Sequence, residues 1–183
     1  FENLKNIAKN FHKIKIHVVG DTIVDEFLNT ILIGGQIKTP TLSLLEGRLD
    51  QYAGGAAVVA ANIAAAGAKV QLTTMLGNDQ NKNFVVNKLK ELNVKLNFFK
   101  ETDRPTTTKK VIINKNHRIV KIDKLDNTPI NENTIRKISS KIKNIKSDAI
   151  IFSDFRHGIF NKSNIEIFTK FISKKCLKIA DSQ

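Results

Sequence analysis

Gly54-Gly55-Ala56-Ala57, the run Val58 to Ala66, Gly67, the segment Val70 to Leu76 and Gly77-Asn78-Asp79 decide how this chain folds. A glycine pair opens an alanine-rich helix. The helix stops at a glycine, a strand follows, and the strand stops at another glycine with a polar tip. Backbone without Cβ lets N–H groups approach a ligand closely. A helix start adds N–H donors without intrahelical partners and a partial positive charge. The alanine face lets the helix lie tight on a sheet. These features together predict a polar small molecule held by backbone at a helix start.

Outward from this stretch, strands and helices alternate. Leu4, Ile7, Ala8 and Phe11 recur at helical spacing and predict an amphipathic first helix. Lys15 to Val19 is a short apolar strand that ends at Gly20, and Asp21 and Asp25 follow it. Ile31 to Leu49 mixes β-branched residues with Gly34-Gly35 and Pro40, which predicts short, partly exposed strands. Phe84, Val85, Lys88, Leu89 and Leu92 have helical spacing. Thr106 to Asn114 and His117 to Asp123 form a hairpin pattern around Lys115-Asn116. Asn131 is placed to cap a helix carrying Ile135, Ile138 and Ile142. Ala149 to Phe152 is an apolar strand with the pattern of one buried on both faces. Ser163 and Glu166 form a capping-box pattern before Ile167, Phe168 and Phe171, and Ile179 to Asp181 begins one more strand.

Such alternation implies an α/β fold: a mostly parallel sheet with right-handed crossovers, flanked by helices. Segments 28–52 and 103–124 break the rhythm and read as a small antiparallel β appendage. In open α/β sheets, ligands sit outside the carboxyl ends of the strands. Asp21, Asp25, Asn78-Asp79 and Asp154 all follow strand ends, which places them along one edge.

Composition narrows the function classes. The 183 residues carry a net charge of +13, but the basic residues are scattered, with no Trp and one Tyr to stack on bases. Nucleic acid is therefore not expected as a partner. No apolar run approaches the roughly 20 residues a membrane helix needs, so no membrane partner is expected. Without a signal-peptide pattern at the start, and with Cys176 as the single cysteine, the expected location is cytoplasmic. His12, His17, His117 and His157 lack metal-ligand spacing, so no metal ligands are assigned. A dinucleotide-binding protein needs Gly-x-Gly-x-x-Gly after the first strand, and Gly20-Asp21-Thr22 lacks it.

The chain resembles the ribokinase-like (PfkB) carbohydrate kinases over several segments in that family's order. Val18-Val19-Gly20-Asp21-Thr22-Ile23-Val24-Asp25 is similar to the family's first strand and Gly-Asp-x-x-x-Asp turn. Tyr52-Ala53-Gly54-Gly55-Ala56-Ala57 is similar to its diglycine sugar site. Gly67, nine residues, then Gly77-x-Asp79 keeps the spacing of its N-terminal signature. Pro105-Thr106-Thr107-Thr108-Lys109 and Val120-Lys121-Ile122-Asp123 resemble its lid strands. Ser153-Asp154-Phe155-Arg156-His157-Gly158 is similar to the Ser-Asp-Tyr-x-Lys-Gly strand end of one branch. That branch is the heptose-7-phosphate kinase half of the bifunctional enzyme of ADP-heptose synthesis.

This resemblance implies an ATP- and Mg²⁺-dependent kinase acting on a sugar or sugar phosphate, dimeric through its lid. It implies that Asp25, Gly54 and Gly55 hold the sugar, with further contacts from Asn62, Lys109 and Asp154. Lys38 and His157 are candidate phosphate contacts, His157 standing where the branch has Lys. Val58 departs from most of the family, which has Asn there; either the substrate presents fewer hydroxyls on that side or another group supplies the contact, for which Asn62, one helical turn on, is a candidate. The family's Gly-Ala-Gly-Asp motif, which carries the catalytic base, does not occur through Gln183, so no catalytic residue is assigned. Residues 1–183 thus read as the sugar-binding and lid portion of a kinase, inactive alone. The alternative is a non-catalytic sugar-binding or scaffold module of the same fold.

Overall fold

In the computed structural model, which describes residues 5–6, 9–35 and 41–182, a 3₁₀ turn at Phe11–Lys13 leads into β1 (Lys15–Gly20), β2 (Thr22–Gly35) and β3 (Leu42–Gly55). Then follow α1 (Ala56–Ala65), β4 (Lys69–Met75), α2 (Gln80–Glu91), β5 (Lys95–Phe99), β6 (Thr108–Asn114) and β7 (His117–Lys124). The chain continues through α3 (Glu132–Asn144), β8 (Ala149–Asp154), α4 (Asn164–Lys170) and β9 (Leu177–Ser182). Leu4, Ile7 and Ala8 of the expected first helix lie outside the described residues, as does Lys38.

The main sheet is parallel throughout, in the order β5-β4-β1-β8-β9. Central β1 is buried from Ile16 on and has an apolar core on both sides of it. Val18, Leu72, Ala56, Ala57 and Ala60 belong to one cluster with Val85 and Leu89 of α2. Val19, Ile150 and Phe152 belong to the other, with Ile138 of α3 and Phe168 of α4. Alanines at the α1 contact keep that helix close to the sheet, which is why the helix is legible from composition alone.

The second sheet has the order β3-β2-β6-β7. Two expectations are corrected here. The region from 31 to 49 does not form short strands: β2 and β3 each run 14 residues and pair antiparallel. The sheet is also not wholly antiparallel, because β2 and β6 at its centre pair in parallel. Asp25 accordingly lies within β2 rather than in a turn. Backbone pairing satisfies the polar groups of a strand whatever its neighbour's direction, so sequence alternation cannot distinguish the two arrangements. The β6–β7 hairpin closes at Lys115-Asn116, both at positive φ as a tight two-residue turn requires.

Two helix caps differ in outcome. Asn131 caps α3 as expected, its Oδ1 accepting from Thr134 N at 2.9 Å. Ser163 precedes α4 but makes no side-chain cap. Asn161 Oδ1 instead accepts from Asn164 N at 2.9 Å and from the Ser163 hydroxyl at 2.6 Å, because the loop turns back on itself before the helix begins.

Candidate functional site

The site begins where β1 ends and β2 starts. Gly55 has φ +58°, and a Cβ there would collide with the Asp21 carbonyl oxygen. That oxygen accepts from Ala56 N at 2.8 Å, which docks the first turn of α1 on the end of β1. Gly54 is required for a different reason: a Cβ there would collide with the Asp25 carboxylate. The diglycine therefore sets a helix start and a carboxylate side by side. Burial pushes the Asp25 carboxyl above its usual range, while the Lys109 and Lys121 ammoniums pull it back.

Lys109 reaches this position by register. It stands opposite Asp25 across the β2–β6 pair and opposite Asp123 across β6–β7. Residues in register on neighbouring strands share a face, so Tyr52, Asp25, Lys109 and Asp123 form one row. Phe27 meets Tyr52 edge-on, with ring centres 5.8 Å apart.

The opposite face of β2 carries Glu26, which is buried. Its carboxylate accepts from Gln51 and Asn81, each at 3.0 Å, and pairs with Lys110 at 3.1 Å. Asn81 on α2 also donates to the Thr108 hydroxyl at 2.7 Å and accepts from Gln51. Burial pushes Glu26 up, but the bonds from Lys110, Asn81 and Gln51 outweigh it and hold the carboxyl below its ordinary range. One side chain of α2 thus ties β2, β3 and β6 to the main body. A cavity of about 490 Å³ lies beside this network, lined also by Asp79, Ile122 and Lys124. Another, of about 720 Å³, lies between α3 and α4. Neither includes Asp25, Lys109 or His157.

The loop after β8 closes the site from the other side. Asp21 is buried, and its Oδ2 accepts from Phe155 N at 3.0 Å and His157 N at 3.1 Å. Burial raises its pKa, against the pull of those two backbone donors. Arg104, 5 % exposed, braces the same loop. Its guanidinium pairs with Glu101 and donates to the carbonyls of Asp126, Thr128 and His157. His157 Nδ1 lies 2.8 Å from Asn127 Oδ1. Burial first, then Lys109, holds the imidazole below its ordinary pKa, with Asp123 and Asp154 pulling the other way and Lys121 adding to Lys109.

Asp25, Gly54, Gly55 and Lys109 are therefore brought together, and His157 is tied to the same strand end through Asp21. Asp154 ends β8 close to His157 and Asp21, but its oxygens accept from Arg156 N and the Ser182 hydroxyl, a local bracing role. Asn62 is exposed on α1, and no contact joins it to Asp25 or Lys109 among the described residues. Asp79 caps α2 through Lys82 N at 3.0 Å and holds Thr106 N at 2.8 Å, so it shapes the strand end rather than facing the site. Sequence reasoning missed Arg104, Asn127 and the Glu26–Asn81 network. The only signal for Arg104 was a charged residue before Pro105, which by itself marks a loop.

Among the described residues, no three His, Cys, Asp or Glu side chains gather to hold a metal ion. Among the described residues, no helix is long and apolar enough to cross a membrane.

The chain is similar to known proteins. Residues 13–156 match a family described as pfkB family carbohydrate kinase. The chain is 30% identical over 158 residues to the bifunctional protein HldE of Actinobacillus succinogenes, covering 84% of this chain and 32% of that protein. It is 28% identical over 163 residues to HldE of Psychromonas ingrahamii, covering 85% and 33%. The chain thus spans about a third of the length of the curated relatives it matches. Phosphofructokinase-2 from Escherichia coli, solved in complex with substrates and products, aligns with a TM-score of 0.69 at 18% identity, over 93% of this chain and 54% of that one. At that identity the likeness shows the fold.

Proposed function

The chain belongs to the pfkB family of carbohydrate kinases, and we propose that it forms the sugar-binding part and lid of an enzyme that transfers the γ-phosphate of ATP to a hydroxyl of a sugar or sugar phosphate. The observation that carries this reading is the Asp25 carboxylate lodged against Gly54, with Lys109 in register opposite it. A carboxylate accepts two hydroxyl donors in fixed geometry. Lys109 and Lys121 favour its ionised form. Backbone N–H groups at the start of α1, next to the diglycine, add donors for sugar oxygens.

In this reading Asp25, Gly54 and Gly55 orient the sugar, Lys109 contacts it from the lid, and Asn62 and Asp154 border it. Val58, 39 % exposed in the first turn of α1, presents an apolar group where most of the family has Asn. It favours a substrate with one hydroxyl fewer to satisfy on that side. Lys38 is assigned to the phosphate of a sugar phosphate. The Ser153–Gly158 strand end favours a heptose 7-phosphate as substrate. ATP and Mg²⁺ supply the phosphoryl group and its charge neutralisation, and this chain covers 54% of the aligned kinase. A cytoplasmic location and a dimer through the lid complete the proposal.

An ADP-release assay on the complete gene product, with a panel of sugars and sugar phosphates, tests it. Sugar-dependent turnover lost in Asp25→Ala is the expected result. The 183-residue polypeptide alone is expected to show none. Absence of turnover with every sugar would sink the kinase reading and favour a scaffold module.

A further inference from the structure

Resting on the reading of this cleft as a sugar site, we infer that His157 is a specificity-determining residue whose Nε2 accepts a hydrogen bond from one sugar hydroxyl, instead of contacting a phosphate as a cation.

Three bonds fix the residue. Asp21 Oδ2 holds its backbone N at 3.1 Å, Arg104 Nη1 holds its carbonyl at 3.4 Å, and Asn127 Oδ1 faces ring Nδ1 at 2.8 Å. An amide oxygen only accepts, so Nδ1 carries the hydrogen. In a neutral imidazole, Nε2 is then a bare lone pair. That atom is buried and has no partner among the described residues. The residue is only 9 % exposed. Buried polar atoms nearly always have partners, and an orphan calls for a water, an ion or a ligand to complete it.

Its surroundings select the ligand. Lys109, Lys121, Asp123 and Asp154 are the charged groups that act on the ring. The same Lys109 and Lys121 act on Asp25, and Asp21 bonds both Ala56 N beside the diglycine and His157 N, so His157 lies next to the diglycine and to the lysine pair that serves Asp25. Burial first, and then Lys109, disfavour the charged ring against the pull of Asp123 and Asp154. A neutral ring with a bare Nε2 lone pair repels a phosphate oxygen and attracts a hydroxyl hydrogen. The Arg104 guanidinium is engaged with Glu101, Asp126, Thr128 and the His157 carbonyl, and so braces the loop without serving Nε2.

The test uses the complete protein, with heptose 7-phosphate and its monodeoxy analogues as probes and fructose 6-phosphate as a second sugar phosphate. Wild-type enzyme is expected to favour the parent over one particular deoxy analogue by about tenfold or more in kcat/KM, the scale of one lost hydrogen bond. His157→Phe should erase that preference and leave the others unchanged, while His157→Gln, which keeps an acceptor, should retain part of it. Ring-¹⁵N spectra of wild type should show a neutral imidazole protonated at Nδ1, with the Nε2 signal moving when the sugar phosphate is added. These spectra decide the matter if His157→Phe does not fold. An unchanged preference in His157→Phe, a ring protonated at Nε2, or an Nε2 shift produced by inorganic phosphate alone would overturn the inference. Wild-type turnover separates the two readings. If it is absent, the kinase proposal fails and this one with it. If it is present while His157→Phe keeps its preference, only this one fails.

Discussion

The Asp25 carboxylate occupies the space in which a side chain at Gly54 would begin. Neither residue is interchangeable without the other, because β3 passes so close to β2 that only hydrogen fits beneath the carboxylate. Gly54→Ala is expected to displace Asp25 and raise the sugar KM by at least about tenfold, with a stability loss of roughly 1–3 kcal/mol from overpacking. Asp25→Asn should keep the packing and stability but lose most sugar affinity. Steady-state kinetics with thermal melts of both variants checks this. A Gly54→Ala enzyme with unchanged KM would show that Asp25 does not position the sugar.

Asp21 holds the β8 loop by accepting from two backbone N–H groups. Asp21→Ala leaves both donors unpaired at a buried site, for an expected loss of roughly 2–4 kcal/mol. Asp21→Asn, which retains an acceptor oxygen, should lose less. Denaturant unfolding gives the energies. Hydrogen exchange should accelerate at the amides of Phe155 and His157 in the alanine variant, and equal protection in both variants would count against the staple.

Much of this fold was written in local pattern. The alanine face of α1, the Asn131 cap and the Lys115-Asn116 turn are each set by chemistry within a few residues, and all stand as expected. The parallel pairing of β2 with β6 is a contact between segments about 80 residues apart, and alternation along one strand carries no trace of its partner's direction. Strand β5 was missed because Lys95 to Phe99 is only partly buried at the sheet edge. Asp25 and the diglycine were legible as candidate site residues because they stand in segments that resemble the family's sugar-site motifs. Arg104 and Asn127 act through loop carbonyls and a ring nitrogen that only the folded chain brings near, so no spacing announces them.

His17 lies fully buried in β1, with Nε2 2.8 Å from the Thr73 hydroxyl. Burial lowers its pKa from 6.5 to about 4. The folded protein therefore resists protonation that the unfolded chain accepts. The sign follows: between pH 6.5 and about 4 the unfolded state binds more protons, so stability falls as pH drops through that window. The full effect is roughly 3 kcal/mol. His17→Gln should lose this component, so the stability gap between wild type and variant should shift toward the variant on going from neutral to acidic buffer. A gap that does not move with pH would show that the ring is not held neutral.

The far ends of β2 and β3 carry the largest apolar exposure of the second sheet. Ile31 and Leu45 pair in register, 60 % and 54 % exposed, and Ile33 and Leu42 nearby are 64 % and 58 % exposed. Apolar clusters of this size on a soluble chain usually mark an interface. A second copy is the expected cover, since an isologous contact lets one sheet face meet its own equivalent. Ile31→Glu with Leu45→Glu would place like charges opposite each other on the strand pair and again across the two-fold axis. Sedimentation of the complete protein at micromolar concentration should give a dimer for wild type and a monomer for the double variant. Because Asn81 and Glu26 anchor the sheet at its other end, the variant should stay folded, with melting within a few degrees of wild type. A wild-type protein that sediments as a monomer would leave the patch without its partner copy, and a double variant that remains dimeric would place the interface elsewhere.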